Sequence, residues 1–209
     1  YKIRIMNLVQ LGTNSGNDHV LDFVKKNHSK LNNIILVEPI VQCTSTILKN
    51  YKEYNIKIDN SAIISNDKPN TNEIDFFVAE GGEFEYDTFN YEVSSTSEQW
   101  TSRKDTNWST NGKKIKVNAL HFNELANKYN LKIIDFLFID VEGEDEGIVK
   151  DLDFEKYNFK IVVFELARKS IEVRETPKGY EMVWCNKLKS RIYYKKEYEN
   201  YLQDFGCRL

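Results

Sequence analysis

An open α/β fold with a mainly parallel sheet is predicted by three features of the chain. Apolar runs of strand length alternate with helix-like patterns, the clearest run (Ile133 to Ile139) is almost continuously apolar, and three of the runs end in short polar or acidic segments. At 209 residues the chain suits one domain, 1–209, with a loop-rich insertion around 80–112.

The elements follow in order. Ile5 to Leu11 reads as the first strand and ends at Gly12, after which Val20, Leu21, Phe23 and Val24 share one helical face. Asn33 to Val37 is the second strand, stopped by Glu38-Pro39, and Val41 to Tyr51 has a helical pattern. Ile56 to Ser65 is a third strand or a broken pair, Asn66 to Asn70 is a turn cluster, and Ile74 to Val78 is strand-like. From Glu80 to Gly112 the pattern gives way to Gly, Ser, Thr, Asn and charges, yet carries Tyr86, Tyr91, Trp100 and Trp108; a loop this long in a compact domain is expected to serve function. Lys114 to Leu120 reads as a strand and His121 to Tyr129 as a short helix. Ile133 to Ile139, expected to be a central strand buried on both faces, runs into Asp140-Val141-Glu142-Gly143. Glu144 to Leu152 is expected to be helical and Lys160 to Leu166 to be a further buried strand. Tyr180 to Trp184 and Arg191 to Tyr194 flank a polar stretch, as in an antiparallel hairpin at a sheet edge.

Composition removes several function classes. The 29 Lys and Arg against 32 Asp and Glu give a formal charge of −3, which offers no global attraction to nucleic acid or to anionic membranes. Cys43, Cys185 and Cys207 lie far apart with no CxxC pair, which argues against a disulfide framework and a zinc site and for a reducing, cytoplasmic compartment. No apolar run is long enough to span a bilayer, and no basic-then-apolar leader follows Tyr1.

Three segments are placed for chemistry, because ligands of an open parallel sheet lie beyond the carboxyl ends of its strands. Leu11 to His19 is a strand-to-helix turn in which Gly12 and Gly16 allow close backbone approach and free N–H groups favour an anion. Glu38 ends the second strand, where an acid can accept hydrogen bonds from both hydroxyls of a ribose. Together these two segments favour a nucleoside cofactor. Asn14 stands where a full Gly-x-Gly-x-x-Gly would carry its second glycine, which counts against a pyrophosphate cofactor such as NAD. The third segment, Asp140 to Glu146, fails as a calcium loop, since Asp145 occupies the position that needs glycine. No metal is therefore expected. Glu144, Asp145 and Glu146 read as acids that stabilise a helix start. Asp140 emerges directly from the apolar strand, so partial burial suits it to accept a proton, with His19 as the second candidate base.

The segments Gln10 to Gly16, Val37-Glu38-Pro39, Ser94-Ser95 and Ile133 to Gly143 resemble the motifs of the FkbM family of S-adenosylmethionine-dependent methyltransferases, over roughly Asn7 to Leu166. The resemblance implies a Rossmann-like class I methyltransferase fold: a seven-stranded, mainly parallel sheet with helices on both faces and an antiparallel C-terminal hairpin. It also implies O-methylation, often of sugar hydroxyls. Gly12, Asn14 and Gly16 would line the methionine part of S-adenosylmethionine, Glu38 would hold its ribose, adenine would lie near Asn60, Ser61 and Ala62, and Asp140 would face the active centre. The chain departs from the family at Gln10, where many members carry an acid. Substrate contacts are expected from Glu142, Ser95, Trp100 and Trp108, because aromatic faces among short polar side chains, here also Thr96, Asn107 and Ser109, suit a carbohydrate or other small polyhydroxylated acceptor. Two other readings use the same sheet: an NAD-dependent oxidoreductase, and a noncatalytic glycan-binding protein.

Overall fold

The computed structural model describes residues 6–78, 94–101, 113–165 and 176–207. Strands β1 (Met6–Leu11), β2 (Leu31–Val37) and β3 (Ile56–Asp59) alternate with helices α1 (His19–Asn27) and α2 (Thr44–Asn50). After Asn60 the chain forms β4 (Ser61–Ile64), β5 (Glu73–Val78), the single-turn α3 (Glu98–Thr101), β6 (Lys113–His121) and α4 (Phe122–Lys128). The second half contributes β7 (Phe136–Ile139), α5 (Asp145–Asp151), α6 (Phe154–Tyr157), β8 (Ile161–Glu165), β9 (Glu181–Cys185), β10 (Ser190–Tyr194) and a 3-10 helix over Lys196–Phe205.

Seven strands form one sheet in the order β3-β2-β1-β7-β8-β10-β9, parallel except that β10 runs antiparallel to both its neighbours. The predicted sheet and its C-terminal hairpin are both present. Alternation along the strands separates two apolar layers. Leu8, Leu36, Phe136, Phe138 and Val163 pack with Val20, Phe23, Ile47 and Leu202 on one face, while Val9, Val37, Leu137, Ile139 and Val162 pack with Leu125, Ile148 and Tyr157 on the other. All the α-helices among the described residues are short, the longest having nine residues, so their stability comes from these apolar faces more than from intrinsic propensity. The Asp18 carboxylate starts α1 by accepting from the N–H groups of Val20 and Leu21 at 2.8 and 3.2 Å.

The run Ile56 to Ser65 is a broken pair whose halves belong to different sheets. β3 closes the edge of the large sheet, whereas β4 joins a separate three-stranded sheet, β4-β6-β5, that the sequence did not announce. Asn60 occupies the break, donating from Nδ2 to the Glu38 carbonyl at 2.9 Å and to Thr44 Oγ1 at 3.1 Å. Three further elements went unforeseen. One is α3, inside the segment read as a loop, and another is α6. The third is the C-terminal 3-10 helix, whose Phe205 stacks on Phe23 with ring centroids 5.0 Å apart. The expected strand over Ile133 to Ile139 begins only at Phe136, because Asp135 turns inward to accept from the Asn7 N–H at 2.9 Å. All three cysteines are buried free thiols, and no helix among the described residues is long and apolar enough to cross a membrane.

Candidate active site

The order of strands reverses between β1 and β7, and there the loops beyond the strand ends part to leave a cavity. These loops are stitched together through the backbone. Gly12 and Thr13 both donate to the Val37 carbonyl at 3.0 Å, Glu38 donates to Asp59 at 2.9 Å, and Asp140 donates to Leu11 at 3.0 Å. Gly12 has φ +76°, and a Cβ there would fall 1.7 Å from the Asp140 carbonyl oxygen, so only glycine lets the β1 and β7 turns touch.

The cavity holds about 290 Å³ and is walled by the 12–18 turn, by Glu38, Ala62, Ile63 and Phe76, and by Ser94, Thr96, Asp140, Glu142 and Glu144. Glu38 is buried with both oxygens engaged: Oε2 accepts from the Asn14 N–H at 2.7 Å and Oε1 from the Ile40 N–H at 2.9 Å. Burial outweighs these bonds and raises its carboxyl from an ordinary 4.5 to about 7. Thr13 Oγ1 and Asn14 Nδ2 are buried at the wall with no partner, as expected of groups that await a ligand.

Asp140, expected to be partly buried, is instead exposed to solvent, with four acidic neighbours around it. Desolvation, with the nearby charges of Asp145, Glu142, Glu165 and Asp18, pushes its carboxyl well above the usual range. Asp145 organises the loop, accepting from the Val141 N–H at 3.1 Å and the Gly143 N–H at 3.2 Å, and burial raises it to about 6. Each of these raised carboxyls acts in one direction. Below its unfolded pKa the buried group contributes its full stability; as pH rises through the folded pKa that contribution is lost. Glu38 and Asp145 therefore make the ligand-free fold less stable at pH 7 than near pH 5.

On the α1 side of Asp140 lies a second cavity of about 240 Å³, lined by Gln10, His19, Phe138, Asp140, Glu142, Glu165 and Ser190 among others. His19 begins α1 with its ring edge-on to Phe138 at 5.9 Å, and burial lowers its pKa, leaving the imidazole neutral at pH 7 and able to accept a proton. Asp140 and Glu142 line both cavities.

Of the residues expected at the site, Gly12, Asn14, Glu38, Ala62, Glu142 and Asp140 line the first cavity and His19 the second. Gly16 and Ser61 do not line either. Gly16 packs its Cα against the Tyr51 ring, and Ser61 is buried in β4 beside Ala62. Ser95 is fully buried and pairs with Phe77 as an isolated bridge, and its Oγ donates to the Glu142 carbonyl at 2.6 Å. Extended alternation thus presents Ser94 and Thr96 to the cavity and turns Ser95 into the scaffold, where it holds Glu142 at φ +52°. Trp100 lies on α3 with its side chain outside the described residues, as do Tyr86, Tyr91, Asn107, Trp108 and Ser109 entirely. Glu144, read from sequence as a helix-dipole acid, is instead a buried hub. It accepts from Ser65 Oγ at 2.8 Å and Thr96 Oγ1 at 3.1 Å, and pairs with Lys68 at 3.1 Å. Glu165 was missed as a site residue, although it leaves a buried central strand just as Asp140 does.

An acid-rich cavity at the strand-order reversal, with unpartnered polar groups on its glycine turn, is fitted to a ligand that carries both positive charge and hydrogen-bonding groups. Comparison with curated proteins and with solved structures gives no match. The family model described as the methyltransferase FkbM domain matches residues 10–208, nearly the whole chain, and with the sheet order and the cavity in place the protein belongs to the FkbM methyltransferase family.

Proposed function

We propose that the protein transfers a methyl group from S-adenosylmethionine to a hydroxyl oxygen of a carbohydrate or other polyhydroxylated small molecule. The observation that carries this reading is the position of Asp140 and Glu142 between two cavities, one on the glycine turn and Glu38, the other beside His19. Cofactor in the first and acceptor in the second meet at Asp140.

The cofactor fits the first wall chemically. Glu38 would accept from its ribose hydroxyls with its remaining lone pairs, Asn14 Nδ2 would donate to its carboxylate, and Asp18, Asp140 and Glu142 would offset its positive charge. Transfer is an in-line displacement: the acceptor oxygen attacks the methyl carbon, the carbon–sulfur bond breaks, and its electron pair stays on sulfur. The acceptor proton passes to the Asp140 carboxylate, with His19 as the alternative. Since nearby positive charge lowers a carboxyl pKa, Asp140 would be held ionised as a base beside a cationic cofactor. Most of the acceleration comes from alignment of donor and acceptor.

Incubation with methyl-labelled cofactor and a panel of sugars, polyols and amines tests the reaction. Label is expected in an ether-linked methyl group of a polyol, with stoichiometric S-adenosylhomocysteine. Label found on nitrogen, or only on acceptors without hydroxyls, would overturn the oxygen assignment.

A separate measurement addresses Glu38. Glu38→Ala removes a charge-assisted acceptor and is expected to weaken S-adenosylhomocysteine binding by about 1.5 to 3 kcal/mol, or roughly one to two decades. Ionised Glu38 is the better acceptor, so wild-type affinity should rise about tenfold between pH 6 and pH 8 and level off above. Calorimetry that finds the same pH slope in Glu38→Ala would remove Glu38 from the ribose.

A further inference from the structure

We propose that Asp140, Glu142 and Glu165, with the side-chain carbonyl of Gln10, bind one hard divalent cation of the magnesium or manganese class in the second cavity. The sequence predicted no metal, because the stretch from Asp140 to Glu146 has Asp145 where a calcium loop needs glycine. Folding assembles the set from three strand ends, β1, β7 and β8. One carboxylate oxygen from each of the three acids lies within 4.8 Å of the others, a spacing that a single ion among them can bridge.

Gln10 supplies the independent observation. It is 2% exposed, lines the same cavity, and is fixed in orientation because its Nε2 donates to Asp18 at 2.6 Å. Its Oε1 consequently points away from Asp18 and has no partner. A bare buried amide oxygen on the wall that carries these acids gains nothing from them, since all are acceptors; a cation is the ligand that satisfies it. An all-oxygen donor set selects magnesium, manganese or calcium over softer metals, and a cavity of about 240 Å³ leaves room for the waters that magnesium retains or for acceptor oxygens in their place.

The binding claim stands on this geometry. Only its use rests on the methyltransfer reading: an acceptor hydroxyl coordinated there would lose its proton more readily, to the Asp140 oxygen not bound to the ion or to His19.

Titration of the metal-free full chain with Mn²⁺, followed by electron paramagnetic resonance, reads the site without turnover. Wild type is expected to take up one Mn²⁺ saturably, tighter than about 1 mM, and to release it to excess Mg²⁺. Glu165→Gln is expected to weaken uptake at least about tenfold, and Gln10→Leu severalfold, with melting curves confirming that each variant folds. Absent uptake by wild type overturns the site, as does uptake unchanged in both variants, which would mean that surface carboxylates hold the ion. S-adenosylhomocysteine binding measured in parallel with chelator present separates the two readings, since it tests the cofactor cavity alone.

Discussion

Asp140→Asn is expected to lower turnover by on the order of a hundredfold or more while leaving the protein at least as stable as wild type. The amide keeps the shape of the carboxylate and removes its basicity. It also removes the charge that Asp145, Glu142, Glu165 and Asp18 repel, so the melting temperature of the ligand-free protein should rise at neutral pH and change less as acid protonates the group. A residue that merely ended β7 would show the stability effect without the loss of turnover. Turnover at the wild-type rate with a verified acceptor would remove Asp140 as the base and leave alignment to carry the reaction.

The second large effect is expected at Gly12. Gly12→Ala places a Cβ 1.7 Å from the Asp140 carbonyl oxygen, a contact that no side-chain rotation can relieve because the Cβ is fixed by its own backbone and its neighbour is a backbone atom. The β1 and β7 turns must separate, and with them the hydrogen bonds from Gly12 and Thr13 to Val37 and from Asp140 to Leu11. A loss of about 4 kcal/mol or more is expected, in the range reserved for specific structural breaks. Gly179 provides the control. It has φ +83° and nothing within 4 Å of a Cβ, so Gly179→Ala meets only the left-handed backbone penalty of about 1 to 2 kcal/mol. Denaturant unfolding of the two variants separates clash from conformation, and equal losses would show that the turns do not depend on their contact.

Elements that depend on local pattern were legible in the sequence. The apolar runs gave β1, β2, β8 and the β9–β10 hairpin to within a residue or two, and the helices predicted over His121 to Tyr129 and Glu144 to Leu152 match α4 and α5 nearly end to end. Features that depend on pairing over long distances were not. Nothing in Ile56 to Ser65 says that the chain leaves one sheet for another at Asn60, because both halves are apolar enough for either. Asp140 and Glu38 could be read because each ends a strand of the large sheet, and that position alone brings them to the cavity. Ser95 could not, because its role comes from a two-residue bridge to Phe77 that fixes which side chains of 94–96 face inward. Gln10 was legible only as a residue out of place. Its significance needs the unpartnered oxygen that the folded structure exposes to view.

The central pairing of β1 with β7 also dictates the order in which the protein can be made. Asn7 and Asp135, hydrogen-bonded at the foot of that pair, are 128 residues apart in sequence. As the chain leaves the ribosome, β1, β2 and β3 can associate early, and the glycine turn and Glu38 come together with them. The other edge of β1, with Leu8, Val9 and Leu11 fully buried in the finished protein, stays open until β7 emerges. During that interval the nascent chain carries an apolar, unpaired strand edge of the kind that recruits other chains, so synthesis itself is the stage at which this protein is most exposed to misassembly. Asp140 arrives on the same strand that closes the edge, and the acidic half of the site is therefore completed only when that danger has passed.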